Sequence, residues 1–132
     1  MYLLNTIYSY LYTVFSMWKE FLWVFVGGGV GSVVRYGITL LTQYLNWQKF
    51  PYNTLIVNIL GAFLIGLFFG MNQEPATKNK LIIVTGFLGG FTTFSAFSYE
   101  TFVLAQKSVF LAILNVLANV CLTLLLVWAG YK

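Results

Sequence analysis

The segment from Gly86 to Ser98 combines three glycines, four phenylalanines and four hydroxyl side chains within an otherwise apolar stretch. A helix that only faced lipid would carry Leu and Val here. Gly89 and Gly90, followed by two threonines, are poor helix formers, so a break in the helix is expected. Backbone groups freed inside a membrane are found where they bind ions or line water. We therefore expect this segment to bind ions or to line a water-filled path.

Phe94 and Phe97 lie at positions i and i+3, so they share one face of the helix beyond the expected break. Such a pair usually packs within a protein. The ring edge is the positive end of the aromatic quadrupole and can also contact an anion that has lost its water. Packing and anion contact both remain open for this pair.

The composition indicates that most of the chain lies in a lipid membrane. Hydrophobic residues make up 60% of the chain, charged residues 8%, and the mean hydropathy is +0.84. These values identify an integral membrane protein.

Histidine is absent and Cys121 is the single cysteine, which excludes a disulfide within the chain and histidine-based metal or catalytic sites. The basic residues are scattered, so nucleic acid is not an expected partner. No nucleophile, base and orienting group can be assembled, so the chain is not expected to be an enzyme.

Polar breaks divide the chain into four apolar spans. A bilayer core of about 30 Å needs roughly 20 apolar residues per helix. We expect spans at about residues 21–45, 52–71, 79–105 and 108–130. A membrane sheet would have to close into a barrel of alternating segments, which these are not. The predicted fold class is all-α, with four transmembrane helices and a break in the third.

Residues 1–18 are treated as a separate N-terminal segment, and residues 19–132 as the transmembrane domain. The segment is rich in tyrosine and ends at Trp18. Tyrosine and tryptophan concentrate at the headgroup level, so an interfacial helix is the preferred interpretation. It lacks the pattern of a signal peptide. The alternative is a short extension of the first span.

Loop charges orient this chain only weakly. With four spans, the basic residues divide between the two membrane faces as Lys19, Lys78, Lys80 and Lys132 on one side and Lys49 and Lys107 on the other. So small a bias permits insertion in both orientations, and such chains can pair as antiparallel dimers. Four spans also leave little room to enclose a polar path, which favours an oligomer.

Arg35 lies within the first span, where a guanidinium must snorkel, form a pair or face water. It could attract an anion. It could equally be an interface anchor or the partner of an acidic side chain. Gly27 and Gly31 precede it at a four-residue spacing, which favours close approach of another helix.

Amide side chains occur in the second and fourth spans. Asn58 must hydrogen-bond a partner at membrane depth, and contact between helices is the simplest role for it. Asn115, Asn119 and Thr123 recur at a four-residue spacing, which places them on one face of the last helix. Together they predict a polar track.

With these residues in view, the sequence resembles the Fluc (CrcB) family of fluoride channels. The resemblance covers most of the chain and rests on four motifs in order. They are the glycine-rich stretch ending in Arg35 and Tyr36, the Thr54 to Gly61 stretch, the Gly86 to Ser98 run followed by Glu100, and the polar face of the last helix. The third motif is the most specific.

The resemblance implies an antiparallel, dual-topology homodimer in the cell membrane, with two pores that pass fluoride passively and exclude chloride. Its role would be the export of toxic fluoride. By position, Phe94 and Phe97 resemble the pore phenylalanines, Asn58 the pore amide and Arg35 the vestibule arginine. Glu100 matches the acidic residue of the family.

The resemblance also implies a structural Na⁺ at the dimer interface, held by the backbone carbonyls of Gly89 and Thr92 from both subunits. A fluoride pore must replace the water of a tightly hydrated ion with many donors. Beyond Asn58, the candidate donors along the pore are Thr93, Ser95, Ser98, Asn115, Asn119 and Thr123. Many relatives carry tyrosine and then serine or glycine on the last helix, so the track is altered in this chain.

Two other classes of membrane protein compete with this interpretation. A small multidrug-type exporter also has four short spans and dual topology, but it needs a carboxylate within the first helix. The first span here holds Arg35, and Glu20 lies only at its edge. A non-transporting assembly subunit would not need a broken helix with hydroxyls and phenylalanines.

Overall fold

The chain is helical throughout the part that the computed structural model describes, which comprises residues 2–72, 74 and 76–132, with side chains described at 11, 13–72, 74 and 76–132. No strand occurs among the described residues. In chain order the elements are α1 (Tyr2–Tyr44), α2 (Tyr52–Met71), α3 (Thr77–Asn79), a π-helical segment (Lys80–Leu88), α4 (Gly89–Phe91), α5 (Phe94–Lys107) and α6 (Val109–Tyr131).

Four stretches are long and apolar enough to cross a membrane. They are Thr13–Tyr44, Tyr52–Met71, Thr77–Lys107 and Val109–Tyr131. The prediction of an all-α protein with four membrane-spanning segments is confirmed. The second span has the predicted limits, and the third and fourth differ from prediction only at their ends.

Helix α1 is longer than a membrane requires. Its 43 residues, at about 1.5 Å each, extend for about 65 Å, against about 30 Å for the hydrocarbon core. The backbone of residues 2–18 continues α1 without interruption at Lys19, so residue 18 is not a helix boundary. The interfacial position of this segment stays a prediction. The side chains of Tyr2, Tyr8, Tyr10 and Tyr12 lie outside the described side chains.

The helix ends follow local chemistry. Pro51 directly precedes α2, where its missing N–H costs no helical hydrogen bond. Asn46 has a φ of 56° in the turn after α1, a conformation that asparagine tolerates better than most residues. Ser108 alone separates α5 from α6, and its hydroxyl accepts a hydrogen bond from the Leu111 N–H at 3.4 Å. A connection this short makes α5 and α6 antiparallel neighbours.

Glycines bring α1 against the π-helical segment and α4. A Cβ atom at Gly31 would overlap the carbonyl oxygen of Phe87, and one at Gly27 would overlap that of Ile82. The two backbones therefore approach so closely that only glycine fits. The close helix approach predicted for Gly27 and Gly31 is confirmed.

We expect Gly31→Ala to destabilise the fold by about 1–3 kcal/mol, because the Cβ would meet backbone atoms rather than a flexible side chain. Gly29→Ala is the matched control, since nothing lies within 4 Å of a Cβ built there. The measurement is the melting temperature of the purified protein in detergent, followed by tryptophan fluorescence. Equal melting temperatures for the two variants would contradict this close contact.

The interior is small and contains polar side chains. Its buried hydrophobic residues are Val57, Ala62, Leu88, Phe91, Phe97, Leu104 and Ala112, and its buried polar residues are Thr42, Thr54, Asn115 and Asn119. Among the described side chains, Val57 and Asn115 are the most completely enclosed. Because buried polar groups need hydrogen-bond partners, the contacts of these amides and hydroxyls indicate where the chain has specialised.

Candidate functional site

A groove of about 430 Å³ lies beside residues Thr92 and Thr93. It is bounded by α2, the π-helical segment, the start of α5 and α6. The predicted site residues that it brings together are Asn58, Gly89, Thr92, Thr93, Phe94, Phe97, Asn119 and Thr123. Residues predicted from three separate parts of the sequence, namely the second span, the Gly86 to Ser98 run and the last span, therefore meet at one place.

Thr92 and Thr93 are extended and separate α4 from α5. Their φ and ψ angles are −82° and 160°, and −152° and 113°. In a continuous helix the Thr93 N–H would bind the Gly89 carbonyl, but it donates instead to Asn58 Oδ1 at 2.9 Å. The Ala96 N–H donates to Thr93 Oγ1 at 3.2 Å instead of to the Thr92 carbonyl. The Gly89 and Thr92 carbonyls thus lose their usual helical donors beside the groove.

Thr93 also explains why α5 begins where it does. Its side chain is the N-cap of the helix and accepts the Ala96 N–H, the standard role of threonine at this position. Asn58 holds the same residue from α2, because its amide nitrogen donates to the Thr93 carbonyl at 3.3 Å. One amide side chain therefore binds both the backbone N–H and the backbone carbonyl of Thr93.

The two predicted phenylalanines differ in burial. Phe94 and Phe97 are in contact, with ring centroids 5.4 Å apart and planes at 55°. Phe94 is 79% exposed, whereas Phe97 is 8% exposed. Phe97 therefore packs in the interior, and Phe94 presents most of its ring to whatever covers the groove.

Most hydroxyl protons near the groove are already used within the chain. Ser98 donates to the Phe94 carbonyl at 2.9 Å, and Thr92 donates to the Leu88 carbonyl at 2.9 Å. Thr123 donates to the Asn119 carbonyl at 2.5 Å. These hydroxyls have no second proton to offer an anion.

The Thr93 and Ser95 hydroxyls are the exception among these. Their oxygens lie 3.3 Å apart, and either one can donate to the other. The bond between them uses one hydroxyl proton and leaves the second for another acceptor. This pair is therefore the hydroxyl donor that the start of α5 can offer to an anion.

The amide residues are placed at different depths. Asn119 lines the groove, while Asn115 is 0% exposed and lies behind it. Asn58 uses its amide nitrogen twice, in bonds to the Thr93 carbonyl and to Asn119 Oδ1 at 3.0 Å. Ser95 and Ser98 are exposed on the first turns of α5, outside the lining of the groove.

Arg35 lies in a second, smaller cavity of about 230 Å³. Thr93 lines both this cavity and the groove, so Thr93 lies between them. Within the described part of the chain, Arg35 forms no ion pair. Its positive charge is therefore available to attract an anion towards Thr93.

Glu100 occupies a third position, in a cavity of about 440 Å³ that Lys49 and Lys107 also line. Thr54 donates to Glu100 Oε1 at 2.8 Å. Glu100 Oε2 is buried and accepts no well-formed hydrogen bond from a described residue. The partnership between Thr54 and Glu100 was not predicted, because the two residues are far apart in sequence.

Thr101 is a second residue with an unpredicted partnership. This residue donates to the Phe97 carbonyl at 2.7 Å and accepts from Asn115 Nδ2 at 2.8 Å. Its position four residues after Phe97 is the only sequence signal for it, since threonine in a helix often bonds the carbonyl one turn earlier.

Fold and site together define a multi-pass helical membrane protein with an aromatic and polar groove beside two extended residues. The chain belongs to the CrcB family, because the family model described as CrcB-like protein, Camphor Resistance (CrcB), matches residues 22–131. The resemblance stated from the motifs is confirmed. The first 21 residues, including the whole tyrosine-rich segment of residues 1–18, precede the matched region.

Curated relatives are similar over most of their length. A protein of Shewanella woodyi named fluoride-specific ion channel FluC is 41% identical over 117 residues, covering 86% of this chain and 94% of the relative. The protein of that name from Pyrococcus furiosus is 42% identical over 118 residues, covering 86% and 94%. One from Dehalococcoides mccartyi is 45% identical over 115 residues, covering 84% and 88%. These relatives are ion channels, which confirms that the chain is not an enzyme.

Proposed function

We propose that this chain is a fluoride channel that releases fluoride passively across the cell membrane. The observation that carries the proposal is the groove, in which the Phe94 and Phe97 rings lie beside Thr93, whose hydroxyl pairs with Ser95. The relatives named as fluoride-specific channels, similar over most of their length, support the same assignment.

Fluoride is small and holds its water tightly, so a selective path must offer donors and positive edges in place of that water. Thr93 and Ser95 have one hydroxyl proton to give. The edge of the exposed Phe94 ring adds the positive end of its quadrupole. Arg35, in the cavity on the other side of Thr93, would attract the ion from the vestibule. The groove thus combines attraction, hydrogen bonding and a dry aromatic wall.

We further propose that the channel is an antiparallel homodimer with two pores. One chain leaves Phe94 79% exposed on an open groove, and an enclosed path needs a second wall. A second copy inserted in the opposite orientation would supply that wall to each groove. The weak charge bias between the two membrane faces supports insertion in both orientations. The apolar outer faces of the helices would then contact lipid.

The carbonyls of Gly89 and Thr92 fit a hard monovalent cation such as Na⁺. Oxygen ligands suit such ions, and these two carbonyls have lost their helical donors. Two oxygens do not fill the coordination shell of such an ion, so a complete shell would need further oxygens, which the same pair from a second copy would supply. A bound Na⁺ would supply positive charge that joins the two backbones at the dimer interface.

The test is fluoride release from liposomes that contain the purified protein, followed with a fluoride electrode beside a matched chloride assay. We expect fast fluoride release without matching chloride loss. Liposomes without protein are the blank. Slow release of both ions from vesicles with demonstrably inserted protein would contradict the proposal.

A further inference from the structure

Six residues on α2, α5, α6 and the segment before α5 are joined by consecutive hydrogen bonds. We call this chain of bonds the amide relay, and its members in order are Thr93, Asn58, Asn119, Asn115, Thr101 and Phe97. The Thr93 N–H donates to Asn58 Oδ1 at 2.9 Å. Asn58 Nδ2 donates to Asn119 Oδ1 at 3.0 Å, and Asn119 Nδ2 donates to Asn115 Oδ1 at 3.1 Å.

The second half of the amide relay returns to α5. Asn115 Nδ2 donates to Thr101 Oγ1 at 2.8 Å, and the Thr101 hydroxyl donates to the Phe97 carbonyl at 2.7 Å. The amide relay therefore starts and ends on backbone groups of the same short stretch, at Thr93 and Phe97. It closes a ring through α2 and α6 around the start of α5.

The direction of the amide relay is fixed by its two ends. A backbone N–H can only donate, so the Thr93 N–H must meet the oxygen of Asn58. The nitrogen of Asn58 then needs an acceptor, which orients Asn119, and Asn119 in turn orients Asn115. At the far end the Phe97 carbonyl can only accept, which is consistent with the same order. Each amide has one allowed orientation, and aligned hydrogen bonds strengthen one another.

The amides of the relay have little left to offer an ion. Asn58 Nδ2 already bonds Asn119 and the Thr93 carbonyl. Asn119 Nδ2 already bonds the carbonyl and the Oδ1 of Asn115, both at 3.1 Å. Asn115 itself is 0% exposed. Both amide hydrogens of Asn58 and of Asn119 are thus used inside the chain.

We propose that Asn119, Asn115 and Thr101 are positioning residues and not fluoride ligands. Through Asn58 they hold the extended Thr93 and the first turn of α5, and so set where the Phe94 ring and the Thr93 hydroxyl meet the ion. This inference rests on the proposed fluoride permeation. In this proposal α6 shapes the pore by holding Thr93 through Asn58, without contacting the ion.

Thr101 gives the sharpest test, because it lies outside the lining of the groove. Thr101→Val keeps the shape of the side chain and removes the hydroxyl, while Thr101→Ser keeps the hydroxyl. We expect Thr101→Val to lower fluoride release per intact protein at least about tenfold, as small displacements of positioned groups do. The ratio of fluoride to chloride release should fall with it. Thr101→Ser should stay close to the wild-type protein in both measurements.

The double variant Thr101→Val/Asn115→Leu guards against a simple failure to fold. Replacing both partners of a buried hydrogen bond with apolar groups costs less stability than replacing one. Asn119 Nδ2 loses Asn115 Oδ1 but keeps its bond to the Asn115 backbone carbonyl, and the amide relay is still interrupted. We expect the same loss of fluoride release from protein that elutes at the wild-type position in size-exclusion chromatography. Full fluoride release from this double variant would overturn the proposal.

A double variant tests whether the hydrogen bonds of the amide relay act together or independently. Asn119→Leu interrupts the amide relay at another point, so Thr101→Val/Asn119→Leu should be no slower than the slower single variant. If the reductions in fluoride release caused by the two single variants multiplied in the double variant, the proposal would be overturned. Equal reductions from Thr101→Val and Thr101→Ser would also overturn it. A wild-type protein that releases no fluoride would instead overturn the proposed function, which the wild-type arm reports before any variant is compared.

Discussion

Phe94→Ile is expected to reduce fluoride release at least about tenfold while leaving a folded protein. The side chain is 79% exposed, so its replacement removes little of the packing that stabilises the chain. Isoleucine is similarly apolar but has no aromatic edge to offer an anion. The loss should therefore appear in transport, measured as fluoride release from liposomes at equal amounts of inserted protein.

Phe102→Ile is the matched control for this variant. Phe102 lies on the same helix and is 62% exposed, but it is not part of the groove lining. We expect wild-type release from it. Phe97→Ile should differ from both, because Phe97 is buried and a reshaped core lowers the melting temperature as well. Unchanged release from Phe94→Ile would remove the aromatic edge from the proposed pathway.

The membrane spans are largely predictable from the sequence, because hydropathy and segment length are properties of the local sequence alone. Length, hydropathy and the position of Pro51 fixed α2. The same signals did not predict that α1 continues to Tyr2, since the tyrosines of the N-terminal segment favoured a separate interfacial helix over an extension of the first span. The backbone shows that one helix is continuous from Tyr2 to Tyr44, and the interfacial position of its first residues stays a prediction.

The candidate site was predicted in outline, because the glycines and threonines near Thr93 are poor helix formers. The partners of Thr93 could not be predicted in the same way. Asn58 and Asn119 are 61 positions apart, and nothing in either local sequence states which atom of each amide donates. The three residues of the predicted polar track do not all line the groove, since Asn119 lines it and Asn115 lies behind it. Spacing predicts a shared helix face but not the depth of each residue.

Replacing the Asn58 amide should also have a large effect on stability and on fluoride release. Asn58→Leu is expected to lower both the melting temperature and fluoride release, because the Thr93 N–H and carbonyl lose their partner in one substitution. A buried donor left unpaired costs about 1–3 kcal/mol. Asn58→Asp keeps an acceptor for the Thr93 N–H but loses the donor to the Thr93 carbonyl and to Asn119, so its melting temperature should fall as well.

Asn72→Leu is the control for Asn58→Leu, because it makes the same chemical change at an exposed amide. Asn72 donates to the Phe68 carbonyl at 3.2 Å on the surface, where water replaces the lost bond, so its melting temperature should stay close to that of the wild-type protein. Thermal unfolding in detergent and fluoride release from liposomes are measured on the same preparations. If Asn58→Leu matched Asn72→Leu in both, the Thr93 segment would hold its extended conformation without the amide. The geometry of the groove would then depend on the remaining contacts of this segment, such as the bond from the Ala96 N–H to Thr93 Oγ1.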